Sequence, residues 1–156
     1  MNFTGDIKLQ RIADFWFDEV KPPIMKALEA TPDDKLEWIP AEKMITLGNI
    51  FMHISEASDW WITRVIYKKE AKDYTPCKSF PRDHIKTLLD DHWYRLEKFF
   101  DACPKILEGK YLIDWRKPPE TVDGFWIMLH LLEHDIHHRS QINHYLRILG
   151  VKPPRI

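Results

Sequence analysis

Apolar residues recur at helical spacing in four long stretches, and between them the pattern breaks at prolines, glycines and acidic clusters. The first stretch reads Leu9, Ile12, Ala13, Trp16, Val20, Ile24, Ala27 and Leu28, and its phase runs straight through Pro22-Pro23. Those prolines remove backbone donors and clash with the preceding turn. The spacing therefore predicts either one kinked helix or two collinear pieces, with a proline at the start of the second. Thr31 to Pro40 reads as a loop. The second helix begins near Thr46, whose hydroxyl suits the role of N-cap, and carries Leu47, Ile50, Ile54, Ala57, Trp61 and Val65 on one face. Asp73 to Ser79 is a connection. The third helix starts near Pro81 and carries Ile85, Leu88, Leu89, Leu96, Phe99, Phe100 and Cys103. A long connection holding Pro104, Gly109, Trp115, Pro118 and Pro119 leads to the fourth, from about Thr121 to Leu149, which Gly150 stops and Pro153-Pro154 cannot continue. No segment alternates apolar and polar residues as a half-buried strand would.

Four such helices can bury their apolar faces only against one another. The pattern thus predicts an all-α chain: a single domain over 1–156, folded as an up-and-down four-helix bundle with one long connection between helices 3 and 4. The fourth helix is apolar on two sides. Ile127, Leu131, Ile142 and Tyr145 lie with His134 and His138, while Phe125, Leu129, Leu132 and Ile136 lie roughly opposite. One side can face the core; the other needs a cover, and a homodimer would supply it.

Composition narrows the function classes. A formal net charge of −1 offers no bulk attraction for nucleic acid or an anionic membrane. The N-terminus lacks the basic-then-apolar order of a signal peptide, and no apolar run reaches the length of a membrane span. The two cysteines, Cys77 and Cys103, are not in CxxC spacing and fit a reducing compartment, so the expected location is the cytoplasm.

Chemistry concentrates in His134-Asp135-Ile136-His137-His138-Arg139-Ser140-Gln141. On a helix, His134 and His138 at i and i+4 share one face with Cβ atoms roughly 5–6 Å apart, so both rings can reach one metal ion. A catalytic metal site needs at least three protein donors. His53 is the leading third candidate, because it shares a helix side with Ile50, Ala57 and Trp61. His92 competes, lying between Leu89 and Leu96 on the third helix's apolar face; His84, His137 and His144 read as exposed or outer residues. His130-Leu131-Leu132-Glu133-His134 matches the H-x-x-E-H of inverted zinc peptidases, which would make His130 a ligand. That family builds a large α/β domain with a carboxylate ligand well downstream, and neither is foreshadowed here. A di-iron bundle fails too, since Glu133 is followed at i+3 by Ile136 and not by histidine. Glu56, one turn beyond His53, is the nearest acid–base candidate. Gln141 and Arg139 are expected outside the ligand set, where they can orient a ligand or substrate.

Leu36-x-Trp38-x-Pro40, then Leu47-Gly48-Asn49-Ile50-Phe51-Met52-His53-Ile54-Ser55-Glu56-Ala57, then His134-x-x-His137-His138-Arg139-Ser140-Gln141 and Tyr145-Leu146-Arg147-x-Leu149-Gly150-Val151-x-Pro153-Pro154 together resemble the DinB/YfiT superfamily over nearly the whole chain. One departure is Ser140, where many members have glycine; both are small, and the resemblance implies tolerated packing. It implies a four-helix bundle with one divalent metal held by His53, His134 and His138; imidazole donors suit several ions, and Zn²⁺ or Ni²⁺ is expected. It also implies a small-molecule substrate, with a low-molecular-weight thiol as a candidate. Three neutral imidazoles leave an open position and uncompensated charge, which acidifies a water or holds a thiol as thiolate. The expected function is a metal-dependent thiol transferase or a hydrolase; the alternative is a non-catalytic metal-binding bundle of a stress response. Neither cysteine has the setting of a catalytic residue.

Overall fold

The computed structural model of the chain describes residues 6–72, 74 and 81–155. Its N-terminal helical run has three parts: α1 (Ile7–Asp14), a π-helical stretch (Phe15–Val20) and α2 (Lys21–Ala30). The chain thus continues through Pro22-Pro23 by widening just before them. The Lys21 amide bonds back to the Trp16 carbonyl across a π turn, and the prolines take the first positions of α2, where amides lack intrahelical partners. Asp6 caps α1 through its side chain.

A short 3₁₀ turn (Asp33–Lys35) lies in the expected loop. Thr46 caps α3 (Leu47–Ser58), its hydroxyl oxygen accepting from the Asn49 amide at 3.2 Å. A second π-helical stretch (Asp59–Ile66) extends α3 and carries Trp60 and Trp61. Most of the expected connection Asp73 to Ser79, including Cys77, lies outside the described residues. Helix α4 (Arg82–Asp101) opens with Arg82 bonded to the carbonyls of Leu28 and Thr31, which ties its start to the end of α2. A single-turn helix α5 (Lys105–Glu108) follows.

The next segment corrects the all-α expectation. Strands β1 (Lys110–Ile113) and β2 (Glu120–Asp123) form an antiparallel pair, with Lys110 opposite Asp123 and Ile113 opposite Glu120. Only Ile113 and Val122 are buried, so there was no run of alternating apolar residues to read. The last helix, α6 (Gly124–Ile148), consequently starts later than Thr121: Thr121-Val122-Asp123 pair with β1, and the Asp123 carboxylate accepts from the Trp126 amide at 2.8 Å. A Cβ on Gly124 would stand 2.0 Å from the Ile106 carbonyl oxygen, so α6 can begin this close to α5 only with glycine.

Helix α3 packs against both α4 and α6, and α2 against the same two. The core between them holds Trp16, Ile24, Ile50, Ile54, Leu89, Trp93, Ile127, Leu131 and Leu146, all essentially without solvent contact. On the opposite side of α6, Phe125 and Leu129 are each 44% exposed, and Leu132 and Ile136 are half-buried, so the chain's own helices leave that side partly open. Among the described residues no helix is long and apolar enough to cross a membrane.

Candidate metal centre

His53 projects from the middle of α3, and His134 and His138 from successive turns of α6, the two helices being direct neighbours. Ring centroids lie 4.9 Å apart for His53–His134, 5.1 Å for His53–His138 and 4.3 Å for His134–His138. One nitrogen from each ring falls within 4.8 Å of the others. Three atoms so placed are at most about 2.8 Å from a common point, against about 2.1 Å for a zinc–imidazole bond, so a small rotamer adjustment completes the geometry.

Two of the three rings are held from behind. His53 Nδ1 and Glu56 Oε2 are 2.8 Å apart, and His138 Nδ1 and Gln141 Oε1 are 2.9 Å apart. Both partners are side-chain oxygens, so each Nδ1 carries the proton and each Nε2 is left with a free lone pair. His134 has no hydrogen-bond partner at either ring nitrogen although both are buried. A metal ion at the cluster would satisfy one of them. The other, Nδ1, faces Asp135 Oδ1 at 3.8 Å. Burial, followed by the neighbouring His134, pushes His138 down to about 4, which leaves it a neutral donor at physiological pH.

Asp135 has no solvent exposure, and its Oδ2 accepts from Trp16 Nε1 at 2.8 Å and from His92 Nε2 at 3.0 Å. Burial acts to raise its carboxyl pKa, but the charge of His92, the nearby His134 ring and the hydrogen bonds from His92 and Trp16 outweigh that and hold it below the ordinary carboxylate range. Sequence reasoning did not single out Asp135. The signal was present: a carboxylate in the α6 phase that contains Leu131 and Ile142, where only a partnered charge survives burial.

The other candidates fall elsewhere. His92 is buried on Asp135 and is not part of the three-nitrogen cluster. His130 stacks on Trp126 at 5.1 Å and 13°, and its ring is 6.3 Å from His134. Arg139 is buried and donates from Nη1 to the Glu19 carbonyl at 2.9 Å, pinning α6 to the first π stretch. Glu56 is about half exposed and borders two cavities. One, of about 250 Å³, is shared with Trp60, Trp61, His130 and His134; the other, of about 390 Å³, with Asn49, Met52 and Tyr74. A larger cleft of about 550 Å³, lined by Phe17, Met25 and Glu97 among others, includes no histidine in its lining.

Comparison with known proteins places the fold. A family model described as the DinB family matches residues 13–156. The chain superposes on the crystal structure of a DinB-like protein from Bacillus subtilis with a TM-score of 0.70 at 14% identity, covering 94% of this chain and 96% of that one. A DinB-like protein from Bacillus cereus gives 0.66 at 24% identity, covering 93% and 95%. No curated protein matches the sequence.

Proposed function

The chain belongs to the DinB family, and from that premise we propose that it is a metal-dependent transferase or hydrolase of the cytoplasm acting on a small molecule, with a low-molecular-weight thiol as the favoured nucleophile. On this reading the α2, α3, α4 and α6 segments are the four helices of a bundle, and the site lies between α3 and α6. The observation that carries it is the approach of three imidazole nitrogens within 4.8 Å of one another, beside cavities a small molecule can enter.

His53, His134 and His138 would hold one divalent ion, Zn²⁺ and Ni²⁺ both suiting imidazole donors. Its chemistry when bound is that of a Lewis acid, lowering the pKa of a thiol or water. The chain's own residues then divide the remaining work. Glu56 and Gln141 keep the Nδ1 protons of His53 and His138 in place, which holds both Nε2 lone pairs ready. Glu56, which lines both cavities, is the acid–base candidate to accept a proton from an incoming nucleophile. The exposed Phe125 and Leu129 support a homodimer joined along that side of α6.

The test is metal analysis of the purified protein, then a thiol-transfer and ester-hydrolysis screen with and without the metal. Turnover that chelator removes and metal restores is the expected result. Stoichiometric metal with no turnover on any thiol acceptor or ester would favour the non-catalytic metal-binding role.

A further inference from the structure

Four of the chain's seven tryptophans gather at one end of the metal cluster. Trp60 and Trp61 come from the second π stretch, Trp115 from the β1–β2 connection and Trp126 from the first turn of α6. Trp115 packs edge-on to Trp60 at 5.3 Å and to Trp61 at 5.6 Å. Trp61 in turn meets Trp126 at 5.5 Å and His130 at 5.2 Å. The rings thus form a connected wall that ends at His130, next to His134. In front of it lies the cavity of about 250 Å³, bounded by Trp60, Trp61, His130, Glu56 and the ligands His53 and His134.

We propose, building on the metal-site reading, that this cavity is the substrate pocket and takes one flat, uncharged aromatic ring whose short anionic arm reaches the metal.

Size, charge and shape lead to that class. A dry cavity of about 150 Å³ is enough to hold benzene, so about 250 Å³ holds one ring and a short arm, well short of a large cofactor. Tryptophan walls also suit a quaternary ammonium group, but two observations argue against a cation. Arg64 already lies over the Trp60 ring at 4.1 Å, so one of the two tryptophans lining the cavity is engaged by a guanidinium group, as is Trp126 behind them, with Arg116 at 5.4 Å. A divalent ion held by three neutral imidazoles adds positive charge at the pocket's inner end. A neutral ring gains from the aromatic faces without opposing either charge. An anionic sulfur or oxygen on its arm is drawn to the metal.

The experiment uses the full chain loaded with Co²⁺ under anaerobic conditions. The visible cobalt bands report metal binding before any ligand is added, and the near-ultraviolet sulfur-to-cobalt band then follows titration with three thiols. Those are 2-phenylethanethiol, 2-cyclohexylethanethiol and ethanethiol, which share the same two-carbon stem at sulfur. The expected result is about tenfold tighter binding of the phenyl compound than of ethanethiol, the scale of one stacked ring. Preference over the cyclohexyl compound is expected to be at least about threefold, the part that flatness and ring electrostatics add beyond apolar area. Trp60→Ala and Trp61→Leu should each erase most of the phenyl advantage while leaving the cobalt spectrum and ethanethiol affinity unchanged. Should Trp61→Leu fail to fold, the half-buried Trp60→Ala carries the comparison alone. Equal affinity for phenyl and cyclohexyl thiols, or a phenyl preference that survives Trp60→Ala, overturns the aromatic pocket while leaving the metal site standing. Absence of cobalt bands before thiol addition overturns the metal reading itself, and the pocket with it.

Discussion

Asp135→Asn separates the architecture of the site from its chemistry. Asp135 is fully buried, and one carboxylate oxygen receives both the Trp16 indole N–H at 2.8 Å and the His92 Nε2 at 3.0 Å. Asparagine preserves the shape, and its amide oxygen can still accept from both groups, but without the charge. Charge-assisted hydrogen bonds contribute about 1.5–3 kcal/mol each, and neutral ones about half that. Weakening two of them should cost the metal-free protein on the order of 2 kcal/mol. At this chain length that is a drop of roughly 4–8 °C in Tm. The amide NH₂ then occupies the position of Oδ1, 3.8 Å from His134 Nδ1. A donor there meets a donor, and the carboxylate oxygen beside His134 Nδ1 is gone. Losing an outer-shell partner of this kind typically costs about 10–100-fold in metal affinity. Urea or thermal unfolding of the apo protein measures the first effect, and calorimetric titration with Zn²⁺ the second. His92→Gln is the control: it disturbs only the Oδ2 side, so it should lower stability with a much smaller change in Kd. An Asp135→Asn protein that is destabilised yet binds zinc within twofold of the parent would refute the coupling to His134. One unchanged in both respects would refute the network altogether.

Further outcomes follow from the same geometry. His138→Ala should abolish stoichiometric divalent-metal binding and His130→Ala should not, as read by metal analysis after gel filtration; retained binding in the first would remove His138 from the ligand set. In the apo protein, His138 is held down at about 4 by burial and by His134. Its stabilising contribution is therefore full above the unfolded imidazole pKa near 6.5 and is lost as pH falls toward 4. The urea midpoint should decline over that window less steeply in His138→Gln, and parallel slopes would contradict the assignment. Burial pushes the Cys103 thiol up to about 11, so it should resist thiol reagents at neutral pH until the chain unfolds. Any turnover should survive Cys103→Ser but not chelation. Sedimentation at micromolar concentration should show a dimer that Phe125→Lys with Leu129→Lys converts to monomer.

The helices were legible because their apolar residues repeat over long spans, and Thr46 and Gly150 mark their ends with specific chemistry. The His134–His138 pair was legible for a local reason: two ligands a turn apart on one helix need no tertiary information to be recognised. His53 needed the inward phase of α3 and the family resemblance as well. The hairpin escaped because each strand is four residues long with a single buried side chain, too short for a period of two to emerge. The π stretches escaped because apolar spacing does not report which carbonyl an amide selects. Asp135 and Trp16 are distant in sequence and meet only once α6 crosses the first π stretch. The tryptophan wall likewise draws on three segments that the sequence pattern treats independently.

Two histidines of the cluster have a hydrogen-bonded support on their own helix, Glu56 three residues after His53 and Gln141 three after His138, and His134 has the Asp135 carboxylate beside it at 3.8 Å. Ring orientation is thus prefabricated on two rigid rods, and the spacing between the rods is the variable that remains. An ion at the cluster would work as a clasp across the α3–α6 seam. It tightens the seam in proportion to the logarithm of its concentration over Kd, about 2.7 kcal/mol at a hundredfold excess. A cavity-forming substitution in that seam, such as Ile54→Ala or Leu131→Ala, should therefore erode metal affinity from a distance with every ligand still in place. Bound metal should conversely hide part of the damage such a substitution does to folding.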